Sequence, residues 1–411
     1  MNVQLLITTK SVTITSRFNS KVRQSILIFN NLELFCLVEV GWFWVVWGRW
    51  GGCVATARWG MILDMNNQLK KDLRSRAEKR RAALADARPR TTVSFYRYVK
   101  IADTTEFRER LLTKWSELGC MGRIYVASEG INAQMNVPTE NWQQFDAWVQ
   151  SQPELTGIPY KIAVEEGDKP SFFKLTIKIR SKIVADGLDD SSFDVTNTGE
   201  YLTAAEMNAY VEDPEAVIFD MRNNYEAEVG HFEKAIMPDD FVTFRDELKK
   251  TPELLKEHKD KKVAIYCTGG IRCEKASAWL KHNGFKDVRH LKGGIIDYAH
   301  QVKEQGLPNK FKGKNFVFDE RLGERIGDEI ISTCHLCKKN KSDTHYHCKN
   351  QICHTLFIGC DDCVKKRGGY CSWGCAQVDK LPQSVKKPLA RYYNQYIRKR
   401  RPFQKTPLHA N

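Results

Sequence analysis

The chain has 411 residues, of which 42% are hydrophobic and 28% charged, and its formal net charge is +14. That length exceeds one ordinary domain and that hydrophobic content excludes a disordered chain, so two or three folded domains are expected. The positive excess favours polyanionic partners, nucleic acid before membrane, although basic ends that only keep a protein soluble give the same sum. Of thirteen cysteines, eight fall between Cys334 and Cys375, a clustering that suits metal ligation in a reducing cytosol rather than a disulfide scaffold.

Residues 1–60 differ in character from the rest of the chain. Trp42, Phe43, Trp44, Val45, Val46, Trp47 and Trp50 crowd around Gly41 and Gly48, but Glu39 and Arg49 interrupt the run. It is shorter than the ~20 apolar residues that a spanning helix needs. No small-residue cleavage site comes after it, so neither a membrane anchor nor a secretory signal is expected. The segment reads as an N-terminal extension ahead of a start at Met61 or Met65. Residues 61–90 then form a basic segment in which a polar helix from Asn66 to Ala87 carries Lys70, Lys71, Arg74, Arg76, Lys79, Arg80 and Arg81 before Pro89.

Over residues 91–170 the pattern is strand, helix, strand, strand, helix, strand. Thr92 to Tyr98 alternates and is rich in aromatics. Thr105 to Leu118 places Phe107, Leu111, Leu112 and Trp115 on one face, and Asn141 to Val149 has Trp142, Phe145 and Trp148–Val149 at helical spacing. Gly122–Ala127, Ile131–Val137 and Tyr160–Val164 supply the remaining strands. This order predicts a ferredoxin-like domain with a four-stranded antiparallel sheet and two helices. Residues 171–200 add a strand and a linker. In that strand Lys174, Lys178 and Arg180 alternate with apolar residues, which suits either an ordinary half-exposed strand or one that faces RNA.

From 201 to 310 strands and helices alternate, as in an α/β domain. Lys262–Tyr266 reads as a buried strand, and Glu274 to His282 carries apolar residues at helical spacing. Cys267 therefore sits where a strand ends and a Gly269–Gly270 turn leads to a helix. Backbone N–H groups and a helix dipole converge there, which lowers a thiol pKa and makes the sulfur nucleophilic. Arg272 adds a fixed positive charge. The competing reading, a tight turn with a buried cysteine, does not account for the arginine.

Phe219-Asp220-Met221-Arg222, Gly230-His231-Phe232, Ala235-Ile236 and the loop Cys267 to Arg272 resemble a rhodanese domain. The resemblance implies that Cys267 is the persulfide-bearing cysteine. The related cell-cycle phosphatases use a loop one residue longer, which disfavours phosphate hydrolysis. Ser128-Glu129-Gly130-Ile131-Asn132-Ala133-Gln134, Lys182-Ile183-Val184-Ala185-Asp186-Gly187 and Asn315-Phe316-Val317-Phe318-Asp319-Glu320-Arg321 further resemble the tRNA uridine hydroxylase family. Its members join an acylphosphatase-like (ferredoxin-like) domain to a rhodanese domain, and the resemblance spans roughly residues 90–375. It implies oxygen-dependent hydroxylation of C5 of the wobble uridine to 5-hydroxyuridine, with the anticodon loop of tRNA as partner and molecular oxygen as co-substrate. The electron donor is not identified by any motif: neither an iron site of two histidines and a carboxylate nor a dinucleotide-binding glycine pattern stands out. Cys267 would supply reducing equivalents or form an adduct at uridine C6, and Cys273 would resolve an oxidised Cys267 or merely start the helix. A sulfurtransferase with a persulfide on Cys267 is the second reading. A non-enzymatic RNA-binding protein is the third, opposed by the intact Cys267 and Arg272.

After a connector over 311–333, residues 334–375 carry four close cysteine pairs: Cys334/Cys337, Cys348/Cys353, Cys360/Cys363 and Cys371/Cys375. Eight thiols suit two structural four-cysteine zinc sites, with iron–sulfur as a minor alternative. His335, His345, His347 and His354 are close enough in sequence to replace individual cysteines. The basic tail over 376–411 interleaves Lys386, Lys387, Arg391, Arg398, Lys399, Arg400, Arg401 and Lys405 with Tyr392, Tyr393, Tyr396 and Phe403. That mixture suits phosphates and unstacked bases, or a solubilising tail.

Overall fold

The computed structural model describes strands between Val3 and Gly48 and residues 76–167, 170–188, 192–237 and 243–392. The chain divides into two compact units, before and after residue 73. In the first, β1 (Val3–Ile7), β2 (Ser11–Phe18), β3 (Lys21–Asn30), β4 (Glu33–Val40) and β5 (Phe43–Gly48) pair in sequence order as an antiparallel meander. The proposed start at Met61 or Met65 lies outside the described residues. The second unit begins with α1 (Arg76–Ala85), the described part of the basic helix. Among the described residues no helix is long and apolar enough to cross a membrane.

The expected βαββαβ order is present as β6 (Arg90–Tyr98), α2 (Thr104–Glu117), β7 (Met121–Ala127), β8 (Gly130–Pro138), α3 (Trp142–Ser151) and β9 (Lys161–Ile162). The Asp103 carboxylate caps α2 by accepting from the N–H groups of Thr105 and Glu106. Phe107, Leu111 and Trp115 then recur at four-residue spacing and are fully buried with Phe95 and Phe145. Burying each such side chain stabilises the fold by roughly 1.5–3 kcal/mol.

The sheet has five strands rather than the expected four, in the order β10-β7-β8-β6-β9. β10 (Leu175–Ile179) pairs parallel to β7 at the edge, because Ile177 finishes the apolar face beside α2. Its other face leaves Lys174, Lys178 and Arg180 exposed. The start of the expected linker is also structured: Asp186 is buried and holds both Lys182 and Lys275.

The next domain is a parallel sheet in the order β11-β15-β14-β12: β11 (Glu200–Leu202), β12 (Val217–Asp220), β14 (Lys262–Tyr266) and β15 (Asp287–Leu291). Val263, Ala264 and Ile265 are buried on both faces, as a central parallel strand requires. Around it lie α4 (Ala204–Glu212), the short α5 (Asn224–Ala227), α6 (Phe244–Leu254), α7 (Ile271–His282) and α8 (Gly294–Gln305). Residues 311–333 are more than a connector, since β16 (Phe311–Asn315) pairs with β13 (Gly230–Phe232) and with β17 (Glu324–Arg325).

The cysteine-rich module is a hairpin of β18 (His345–His347) and β19 (Leu356–Ile358), followed by α9 (Asp361–Lys366) and α10 (Trp373–Asp379). The first part of the expected tail folds as α11 (Gln383–Tyr392). Tyr393, Tyr396 and the basic residues from Arg398 on lie outside the described residues.

Candidate active site

Cys267 follows the last residue of β14, and Gly270, at φ 93°, turns the chain into α7. An L-residue at Gly270 would be strained by that φ and would also bring a Cβ to 2.9 Å from the Tyr96 hydroxyl. The helix begins at Ile271, earlier than its apolar pattern implies, so Arg272 and Cys273 stand in its first turn. The Gly270 N–H donates to Cys267 Sγ at 3.1 Å. On the other side, the start of α8 closes on the loop, with Ile295 N–H donating to the Cys267 carbonyl at 3.0 Å. Gly294 permits that approach, because a Cβ there would lie 2.5 Å from the same carbonyl oxygen.

Burial pushes the Cys267 thiol up, but the Cys273 thiol, the Arg272 guanidinium and nearby backbone N–H groups outweigh it and bring Cys267 down to about 6. Burial and the bond to Cys267 push Cys273 well above the usual thiol range. Cys267 is thus the thiolate and Cys273 its proton donor at neutral pH. The difference in ultraviolet thiolate absorbance between the wild type and Cys267→Ser is expected to vanish as pH falls through about 6. A midpoint near the ordinary thiol value would contradict this charge distribution.

Arg272 is not a bare charge on the loop. Its guanidinium forms a two-pronged ion pair with Glu226 on α5, at 2.7 and 2.8 Å, and donates to Thr268 Oγ1 at 3.3 Å. Glu226 also accepts from the Asn223 N–H at 3.0 Å in a capping box. The arginine therefore fixes the loop against α5 as well as lending charge to the sulfur. Behind the loop, Glu247 on α6 is fully buried with neither carboxyl oxygen partnered among the described residues, and burial pushes it well above the usual carboxylate range.

Cys267 lines a cavity of about 440 Å³. Its walls include Tyr96 and Lys161 from the N-terminal domain, the cysteine loop, Asn223 and Tyr225 around α5, and Phe318 with Arg321 from the stretch after β16. Tyr96 donates to Glu274 on α7 at 2.8 Å and His300 on α8 meets the Ile162 carbonyl at 2.9 Å, so the domains are joined at the cavity itself. The sequence singled out Cys267 and Arg272 and carried Phe318 and Arg321 only within a family motif, while Tyr96, Lys161, Glu274 and His300 were not singled out. The only available signals were a lysine inside a short apolar strand and a glutamate at the third position of a capping box.

Three family models match the chain: the UPF0176 acylphosphatase like domain over residues 90–183, the Rhodanese-like domain over 203–301 and the Rhodanase C-terminal model over 312–376. A protein of Salmonella typhi named tRNA uridine(34) hydroxylase is 51% identical over 321 residues, covering 78% of this chain and 89% of that protein. One of the same name from Leptospira interrogans is 52% identical over 300 residues, covering 73% of this chain and 81% of that protein. The chain belongs to the tRNA uridine(34) hydroxylase family.

The separated motifs that carry the family resemblance meet at the domain junction. Glu129 accepts from the Ile183 N–H at 2.7 Å and from Lys275 at 2.8 Å, and Lys275 also pairs with Asp186 at 2.7 Å. Arg321 is held by Asp319 at 2.6 Å and by Glu324 at 2.7 Å while donating to the Glu165 carbonyl. Lys275 is 2% exposed, so these pairs are desolvated and directional, and breaking one would strand a buried charge.

The eight cysteines form two clusters, and the histidines belong to neither. Cys334, Cys337, Cys360 and Cys363 have their sulfurs within 4.8 Å of one another, as do Cys348, Cys353, Cys371 and Cys375. The pairing is interleaved, first pair with third and second with fourth. Sulfur separations of 3.7 Å for Cys353–Cys371 and 3.5 Å for Cys371–Cys375 exclude a disulfide. They suit a tetrahedral ion with metal–sulfur bonds of about 2.3 Å, whose sulfurs stand about 3.8 Å apart. His335 is occupied elsewhere: its Nε2 meets Glu228 at 2.7 Å and its Nδ1 accepts from the Ile358 N–H.

Proposed function

We propose that this protein hydroxylates C5 of the wobble uridine of tRNA, with molecular oxygen as co-substrate and Cys267 as the reactive group. The observation that carries the reading is a cysteine held as a thiolate on the wall of a cavity sized for a small-molecule group, between the acylphosphatase-like and rhodanese-like domains. A flipped uracil would enter that cavity, and an anticodon loop, already partly unstacked, presents its base at little cost. The exposed row Lys174, Lys178 and Arg180 supports phosphate contacts on the same domain.

The chemistry derives from the thiolate. Addition of the Cys267 sulfur to uridine C6 forms an S–C6 bond and moves the C5–C6 electron pair towards C5 and O4. C5 is then nucleophilic towards oxygen. One oxygen atom ends on C5; the other leaves as water, with two electrons from an external thiol-class reductant and two protons. Loss of the C5 proton expels the Cys267 thiolate and restores the double bond. Two zinc ions, one in each cysteine cluster, would have a structural role, since four protein sulfurs close each site to substrate. A reducing cytoplasm would keep the thiols available.

Nucleoside mass spectrometry of tRNA incubated with the purified protein, a thiol reductant and isotope-labelled oxygen tests the reading. Labelled 5-hydroxyuridine is expected. A thiolated nucleoside in its place would assign the protein to sulfur transfer.

A further inference from the structure

Lys161 is a buried cation whose place the packing alone does not explain. It is 4% exposed and forms no ion pair with any carboxylate among the described residues. Its ammonium lies 4.7 Å from the centre of the Tyr96 ring. Its stem runs along the cysteine loop, since a Cβ built on Gly269 would sit 3.7 Å from Lys161 Cδ. Lys161 and Cys267 line the same cavity. A buried ammonium with only an aromatic ring against it is costly, so anions near it hold its charge against burial.

Three groups around it hold its charge, Asp297 first, then Cys267 and Glu274. Glu274 on α7 is engaged by the hydroxyls of Tyr96 at 2.8 Å and Tyr201 at 3.0 Å. Asp297 on α8 is the first group to hold the Lys161 charge, although burial pushes its own carboxyl up, and His300 on the same helix is tied to the Ile162 carbonyl. Around the sulfur itself stand Cys273 and Arg272 on α7, Glu247 on α6 and Tyr96 on β6. Of these, Arg272 divides its charge between Glu226, at 2.7 Å, and the sulfur. Lys161 is a second cation on the cavity wall that the thiolate shares.

We propose that Lys161 is a positioning residue for Cys267: the N-terminal domain lends the neighbouring domain's cysteine a second cation beside Arg272, so part of the stabilisation of the thiolate depends on the docking of the two domains. This rests on the reading of Cys267 as the reactive group. Burial draws the Lys161 ammonium down while Asp297, Cys267 and Glu274 hold its charge, which is the reciprocal sign.

The test titrates Cys267 in the full chain, by thiolate absorbance against a matched Cys267→Ser background, for the wild type, Lys161→Met and Lys161→Arg. In Lys161→Met the midpoint is expected to rise by roughly one pH unit or more, a tenfold loss of thiolate below it. Lys161→Arg should restore most of the shift. Hydroxylation by Lys161→Met should fall near neutral pH and recover as pH rises. If Lys161→Met folds poorly, Lys161→Gln carries the same measurement. An unmoved midpoint overturns the proposal, including the case where hydroxylation falls anyway, which would make Lys161 a contact to a tRNA anion. A moved midpoint together with full hydroxylation by Cys267→Ser keeps the Lys161 assignment and overturns the reading of Cys267 as the reaction centre.

Discussion

Cys267→Ser is expected to lower the rate of 5-hydroxyuridine formation by roughly 10³-fold or more while leaving the fold intact. Serine is close in size, and its oxygen can still accept from the Gly270 N–H that now meets the sulfur at 3.1 Å. Stability should therefore change by no more than about 1 kcal/mol, within the usual range of near-isosteric substitutions. What is lost is charge: a serine hydroxyl does not ionise near pH 6 as this thiol does, so it offers no anion to add to uridine C6. Cys273→Ala discriminates further. Cys273 assists through its hydrogen bond, so its loss should raise the Cys267 midpoint and slow the reaction without abolishing it. Rates from nucleoside mass spectrometry, set beside urea unfolding curves, check both statements. Unimpaired hydroxylation by Cys267→Ser would end the proposal that this sulfur does the chemistry.

The residues that could be read from the sequence are those whose role is local. The strand–turn–helix around Cys267 is encoded within a dozen neighbours, and so are the helix faces of Phe107, Leu111 and Trp115. The cysteine pairs announce themselves by spacing, but their interleaved partnership does not, because nothing in a linear order says that Cys334 meets Cys360 before Cys348. Lys161, Glu226 and Glu274 were not legible for the same reason. Each is an ordinary charged residue on its own element, and acquires meaning only when another element approaches: Glu226 when α7 brings Arg272, Lys161 when the cysteine loop docks on the N-terminal domain. The strand after residue 171 was expected, but not its place in this sheet, because β10 reaches β7 by crossing from the opposite edge. Periodicity identifies a strand and is silent about its neighbour.

Loss of one cysteine ligand should have the largest effect on stability. In a short module with little core, metal binding contributes on the order of 10 kcal/mol to folding. The interleaved pairing ties both clusters to the same β18–β19 hairpin, since Cys334 and Cys337 precede it and Cys348 and Cys353 lie within it. Cys360→Ala is expected to lower bound zinc from two ions per chain to about one or fewer, and to open residues 334–375 to limited proteolysis. Activity should fall too, by a mechanical route. Val229, Phe316, Leu356 and Ile358 share one apolar cluster, and His335 grips Glu228 at 2.7 Å. Glu228 caps the short helix that presents Glu226 to Arg272. A loosened module therefore loosens α5 and, through it, the grip on the cysteine loop. The order of events separates this role from a catalytic one: chelation should make the module protease-sensitive in step with the loss of hydroxylation, whereas a reacting metal would be lost with activity while the module stayed closed.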